Sequence, residues 1–170
     1  WGTAGVGVQR SRNGDKAISL NCEALHSQAE VSSWLPIQII EPNTFKLLSG
    51  SPQERRQFID WGVFHVEHSF LDQWREFKKL LQQRNAVLKK QQADWLNVWD
   101  KGFVKAANAV NESRKAYIER LVPVFQHTLQ RLDANLDVQL SFYSGWDRKS
   151  DLIDILHRQR ERDLQIGHTQ

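Results

Sequence analysis

Methionine is absent from the 170 residues, and cysteine occurs once, at Cys22. A lone cysteine excludes an internal disulfide framework, so a reducing compartment, and hence the cytoplasm, is the expectation. Without methionine, Trp1 is not a native translation start, and the chain is expected to be a piece of a longer protein. No apolar run approaches the roughly 20 residues that span a bilayer, which excludes a transmembrane helix. No basic, apolar and small-residue leader opens the sequence. One sign of charge does not dominate either: 23 Lys and Arg face 20 Asp and Glu, a net charge of +3. That balance permits contact with nucleic acid without demanding it. Repeats, low-complexity tracts, His-Glu-x-x-His patterns and cysteine clusters are also missing. His65, Glu67 and His68 therefore read as packing or hydrogen-bonding groups, and no metal site is expected. Cys22 has no recognisable nucleophile context.

The residues that are present have a globular composition, 40% apolar and 25% charged, with seven tryptophans. That is enough apolar surface to bury a core. Residues 1–40 are β-rich. Val6 and Val8 alternate with small residues, and Ala17, Ile18 and Leu20 follow Asn13-Gly14, the pattern of a hairpin. His26 to Trp34 reads as a short helix. Ile37, Ile39 and Ile40 form a β-branched run that Pro42 limits. So few and such short strands predict the edge of a larger sheet.

Ser-Gly-Ser-Pro at 49–52 breaks the chain, after which a helix begins with Ser51 as cap, Pro52 at its first position and Glu54 in its first turn. Gly62 is expected to end or bend it. From Val66 to about Gln92, Phe70, Trp74, Phe77, Leu81 and Leu88 recur at helical spacing. A second helical stretch runs from about Trp99 to Leu132, with Val110, Tyr117, Leu121, Phe125 and Leu132 on its apolar line. Pro123 predicts a kink or break near Leu121. Two long amphipathic helices with a short connection form an antiparallel pair. Leu136, Val138, Leu140 and Phe142 alternate as one strand, a helix follows from Leu152 to about Arg162, and 164–170 reads as the start of another strand. The expected organisation is a partial β-rich segment over 1–48, a helical segment over 49–135 and a strand-helix return over 136–170, mainly α with a minor β part.

The most specific stretch runs from Pro42 to Asp60: Pro42-Asn43, the apolar pair Leu47-Leu48, Gly50-Ser51-Pro52, then Arg55-Arg56-Gln57-Phe58-Ile59-Asp60. It resembles the signature of the bacterial RecF family: proline, an acidic residue, an apolar pair, Gly-x-Pro, and Arg-Arg-x-aromatic-aliphatic-Asp. Trp61-Gly62-x-Phe64-His65, Gln83-Arg84-Asn85, Trp146 after Ser-Gly, and Glu161-Arg162-Asp163 extend the likeness over essentially the whole chain. One position departs: Asn43 stands where the family has an acid, and Glu41 precedes the proline.

The resemblance implies an ABC-type ATPase head, related to those of SMC proteins, with a short helical lid built on the antiparallel pair. It implies ATP and Mg as cofactors of the full-length protein, ATP-dependent homodimerisation, double-stranded or gapped DNA as ligand, and RecR and RecO as partners in loading RecA. Glu41 and Asn43 become candidates for coupling to nucleotide at the lobe junction. The family's phosphate-binding loop, ABC signature and acidic metal-binding strand are absent from these 170 residues, so the chain alone is expected to hold no cofactor and to hydrolyse no ATP.

Several residues keep two readings. Arg55 and Arg56 contact nucleotide, DNA or a partner head, or else Arg56 pairs with Asp60 one turn on. Arg75, Lys78, Lys79, Lys89 and Lys90 share an arc of roughly 120° on one helix, which either tracks phosphates or is a solvated face. Arg84 falls beside the apolar sector, so a buried partner such as Asp60 or Glu67 is expected. Trp61 and Trp74 read as core, and Trp95 and Trp99 as a partner surface. Two rivals from other classes are a free-standing helical protein-binding adaptor and a small hydrolase using His65, Asp60 and Cys22 or a serine. The N-terminal strands argue against the first, and the lack of a nucleophile elbow against the second.

Overall fold

The computed structural model describes residues 3–25, 27–37, 39, 45–147 and 149–170. The chain divides into two compact units, Trp1–Ser51 and Pro52–Gln170.

In the first unit, β1 (Val6–Arg10), β2 (Lys16–Leu20) and β3 (Glu23–Leu25) form an antiparallel sheet in sequence order. The register sets Val6 opposite Leu20 and Val8 opposite Ile18. Gly14, at φ 91°, supplies the left-handed residue that the β1–β2 turn needs. The short helix α1 (Gln28–Trp34) starts at Ser27, whose Oγ accepts the Glu30 N–H. A single turn, α2 (Lys46–Ser49), follows. Ile37 and Ile39 lie in no strand and are exposed, while Gln38, Ile40 and 41–44 fall outside the described residues.

The second unit is helical throughout. Pro52 opens α3 (Pro52–Val66), α4 spans Phe70–Lys89, and α5 spans Leu96–Leu132 after a short 3-10 turn at Ala93–Trp95. The last helix, α6, covers Leu152–Ile166. The Ser113 hydroxyl donates to Gln73 Oε1 near one end and Arg84 Nε donates to Asp100 Oδ1 near the other, so α4 and α5 run antiparallel. Three apolar clusters hold the unit. Val63, Phe70 and Val110 join α3, α4 and α5. Phe103, Ala107, Leu152 and Leu156 join α5 to α6. Val87, Leu88 and Leu96 close the connection between α4 and α5. Each fully buried leucine here contributes about 1.5–3 kcal/mol.

Four expectations are corrected. Gly62 does not end α3; it is buried mid-helix, with Tyr117 of α5 in the space a side chain would need. Pro123 does not break α5, which continues to Leu132. Residues 136–142 form no strand: the alternation is present, but no strand lies alongside among the described residues, and Leu136 and Val138 are both exposed. In place of the strand expected over 164–170, residues 164–166 complete α6, which Gly167 closes at φ 78° with its N–H reaching the Asp163 carbonyl, and 168–170 follow outside any helix or strand. No helix among the described residues is long and apolar enough to cross a membrane.

Candidate functional site

The outer face of α4 carries Arg75, Lys78, Lys79 and Lys89, and Lys90 follows as its C-cap, all exposed. Gln82 and Ala86 lie between them on the same face, so the stripe is not interrupted by an acid there. From Arg75 to Lys90 it extends roughly 22 Å at helical rise. Arg75 is tied to Asp72 at 3.5 Å, and the Lys78 ammonium sits 5.3 Å from the Trp74 ring. Among the described residues, Lys79, Lys89 and Lys90 have no acidic partner. Three unpaired ammonium groups on a rigid helix can meet phosphate oxygens without first breaking an ion pair.

The opposite face of α4 buries Arg84 completely. Its partners are not Asp60 or Glu67. Nε donates to Asp100 Oδ1 and Nη1 to Asp163 Oδ2, both at 2.8 Å, so one guanidinium joins α4, α5 and α6. Arg160 adds a second cation, with Nη2 3.2 Å from Asp100 Oδ2, and the four side chains balance in charge. Breaking such a cluster from one side leaves an uncompensated buried charge, which costs about 3–5 kcal/mol. Asp100 and Asp163 were legible in principle. Leu96, Asp100, Phe103, Ala107 and Val110 share one helical stripe, as do Leu152, Leu156 and Asp163, and an acid on an apolar stripe implies a buried cation.

Asp60 has a different role from the one its spacing from Arg56 implied. Its carboxylate accepts a fork from Arg114, Nε to Oδ1 at 2.6 Å and Nη2 to Oδ2 at 2.8 Å, and a third bond from Trp74 Nε1 at 3.1 Å. The planar guanidinium matches both oxygens at once. Arg56 instead stays exposed at the rim of a cleft of about 750 Å³, with Tyr143, Trp146 and Arg158 around a floor that includes Phe77 and Phe103. Arg55 is exposed on α3. Gly50 follows α2 and Pro52 begins α3. Glu41, Pro42 and Asn43 lie outside the described residues. Trp74 is half-buried as its pattern implied, but Trp61 is 37% exposed, and Trp99 packs against the Leu88–Leu96 cluster rather than facing outward. Trp95 is exposed. His65 lies edge-on between Trp61 and Phe64, a packing role.

No family model matches the chain. It is 41% identical over 167 residues to the DNA replication and repair protein RecF of Pseudomonas aeruginosa strain PAO1, an alignment that covers 97% of this chain. The chain belongs to the RecF family. RecF of Stutzerimonas stutzeri strain A1501 is 42% identical over 168 residues. The chain spans about half the length of these relatives, 45% of each. A solved structure of the recombination mediator protein RecF-ATPrS in the RecFOR pathway superposes with a TM-score of 0.79 at 21% identity, over 98% of this chain and 48% of that one. That likeness shows the fold. The RecF-like stretch therefore includes both the three-stranded sheet and the helical unit.

Proposed function

We propose that Pro52–Gln170 is the helical lid of a RecF ATPase head, and that it couples nucleotide state to contact with DNA or a partner head. The 41% identity to RecF over 97% of the chain carries this reading. In the complete protein, ATP and Mg would occupy the nucleotide lobe. ATP-dependent homodimerisation would then close two heads on double-stranded or gapped DNA, with RecR and RecO as partners in the cytoplasm. Glu41 or Asn43 would sense nucleotide where the lobe joins the lid. Arg55 and Arg56 begin the first lid helix, on the side facing that junction in sequence. The stripe of Arg75, Lys78, Lys79, Lys89 and Lys90 supplies the DNA contact. The chain itself would hydrolyse no ATP, since nothing in its sequence builds a phosphate cradle.

Fluorescence anisotropy of the chain with duplex and gapped DNA, at low and moderate salt, tests the stripe. Binding should weaken steeply with salt. Lys79→Gln should flatten the slope of log K against log salt by about 0.9, the share of one phosphate contact on duplex DNA. Absence of binding even at low salt would remove the stripe from the DNA path.

A further inference from the structure

The Arg84 cluster does more than join three helices: it also holds the last residues of the chain. Arg84 Nη1 donates to Thr169 Oγ1 at 2.6 Å, and that hydroxyl donates to Asn85 Oδ1 at 2.8 Å. The Thr169 N–H reaches the same Asn85 oxygen at 2.9 Å, and the Gln170 N–H reaches Asp163 Oδ1 at 3.2 Å. Just past the end of α4, Gln91 Nε2 donates to the Leu164 carbonyl at 2.6 Å. A Cβ built on Gly167 would stand 3.6 Å from Lys89 Cγ, an ordinary packing distance. The C-terminal end of α4, which carries Lys89 and Lys90, is thus fastened from beneath by 164–170.

The cluster has more donors than acceptors. All four carboxylate oxygens of Asp100 and Asp163 already accept a bond, from Arg84, Arg160, Arg84 again and the Gln170 amide. Nη2 of Arg84 and Nε of Arg160 are buried and have no partner among the described residues. If the Thr169 hydroxyl moves away, the N–H of Arg84 that it accepts can be satisfied only if a carboxylate oxygen that already accepts one donor takes a second on its other lone pair. A displaced 167–170 segment therefore forces the buried guanidinium to share an already bonded oxygen or to leave that N–H unpaired, and either is costly.

We propose that Thr169 is a positioning residue: through Arg84 and Asn85, the 167–170 segment sets the order of the α4 end that presents Lys89 and Lys90. Any event that pulls this segment loosens the basic helix end, and a phosphate chain that orders the helix end tightens the segment in return. Only this second half rests on the reading of α4 as a DNA-contact helix.

The test compares Thr169→Val, which keeps the branched shape and removes the hydroxyl, with Thr169→Ser, which keeps the hydroxyl. Residue-resolved amide exchange in the 170-residue chain should be about tenfold faster at 86–90 in Thr169→Val, the change expected from one unpaired buried donor. It should stay near the unmodified rate in Thr169→Ser. Unchanged exchange in Thr169→Val, or equal acceleration in both variants, overturns the link whether or not the chain binds DNA. Where the chain binds duplex DNA, Thr169→Val should weaken it several-fold with the same salt slope, because every basic group remains. Slowed exchange at Thr169 and Gln170 on DNA addition completes the reciprocity. Binding without such slowing confines the link to the free protein and overturns its DNA half. Failure to bind refutes the stripe and that same half, and leaves the exchange result to decide the rest.

Discussion

At the residue scale, burial desolvates the Tyr117 phenol, which disfavours the phenolate and raises its pKa. The sign follows from linkage. Above the ordinary phenol range the unfolded chain releases this proton before the folded one does, so the unfolded state binds fewer protons and stability falls as pH rises. The chain has two tyrosines, so Tyr143→Phe leaves Tyr117 as the only phenol. Its absorbance change near the phenolate band should then come at higher pH than for free tyrosine, and should move back to the free value in denaturant. A midpoint already equal to free tyrosine in the folded protein would contradict the burial.

At the scale of elements, the approach of α3 to α5 depends on a missing side chain. A Cβ on Gly62 would overlap the Tyr117 ring and hydroxyl, whereas one on Gly102 meets only the Leu80 methyl groups at 3.6 and 3.8 Å. Gly62→Ala should therefore cost about 1–3 kcal/mol through overpacking in urea unfolding. Gly102→Ala should be neutral or stabilising, by up to about 1 kcal/mol, because alanine favours helix. Equal behaviour of the two variants would show that α3 and α5 do not approach this closely. The same scale explains the 136–142 segment. Its period of two is a strand pattern, but a strand is made by hydrogen bonds to a neighbour, and α5 has no backbone groups to offer one.

At the scale of the whole molecule, the three apolar clusters and the Arg84 cluster all lie within Pro52–Gln170. That unit has its own core, so residues 52–170 expressed alone should keep a helical circular-dichroism spectrum and unfold cooperatively in urea. A broad, gradual transition would show that the core needs the preceding residues. The chain spans 45% of its Pseudomonas aeruginosa relative, so nucleotide binding, partners and RecA loading stand as proposals about the complete protein.

The residues alone were enough to identify the family, a hairpin turning at Asn13-Gly14, the start of α3 at Pro52, and the amphipathic faces of α4 and α5. Each of these rests on local chemistry: period, capping, or a motif of fixed spacing. The sequence also implied that Arg84 needs a buried partner, since a cation beside an apolar sector cannot stay unpaired. Only the tertiary structure decided which partners those are. Asp100 and Asp163 lie 16 and 79 residues away along the chain, at distances set by how α4, α5 and α6 pack. Packing likewise gave Asp60 to Arg114 instead of Arg56, and carried α3 through Gly62 and α5 through Pro123. An interior glycine costs a helix up to about 1 kcal/mol and a proline about 3 kcal/mol or more, and contacts along the whole helix outweigh that.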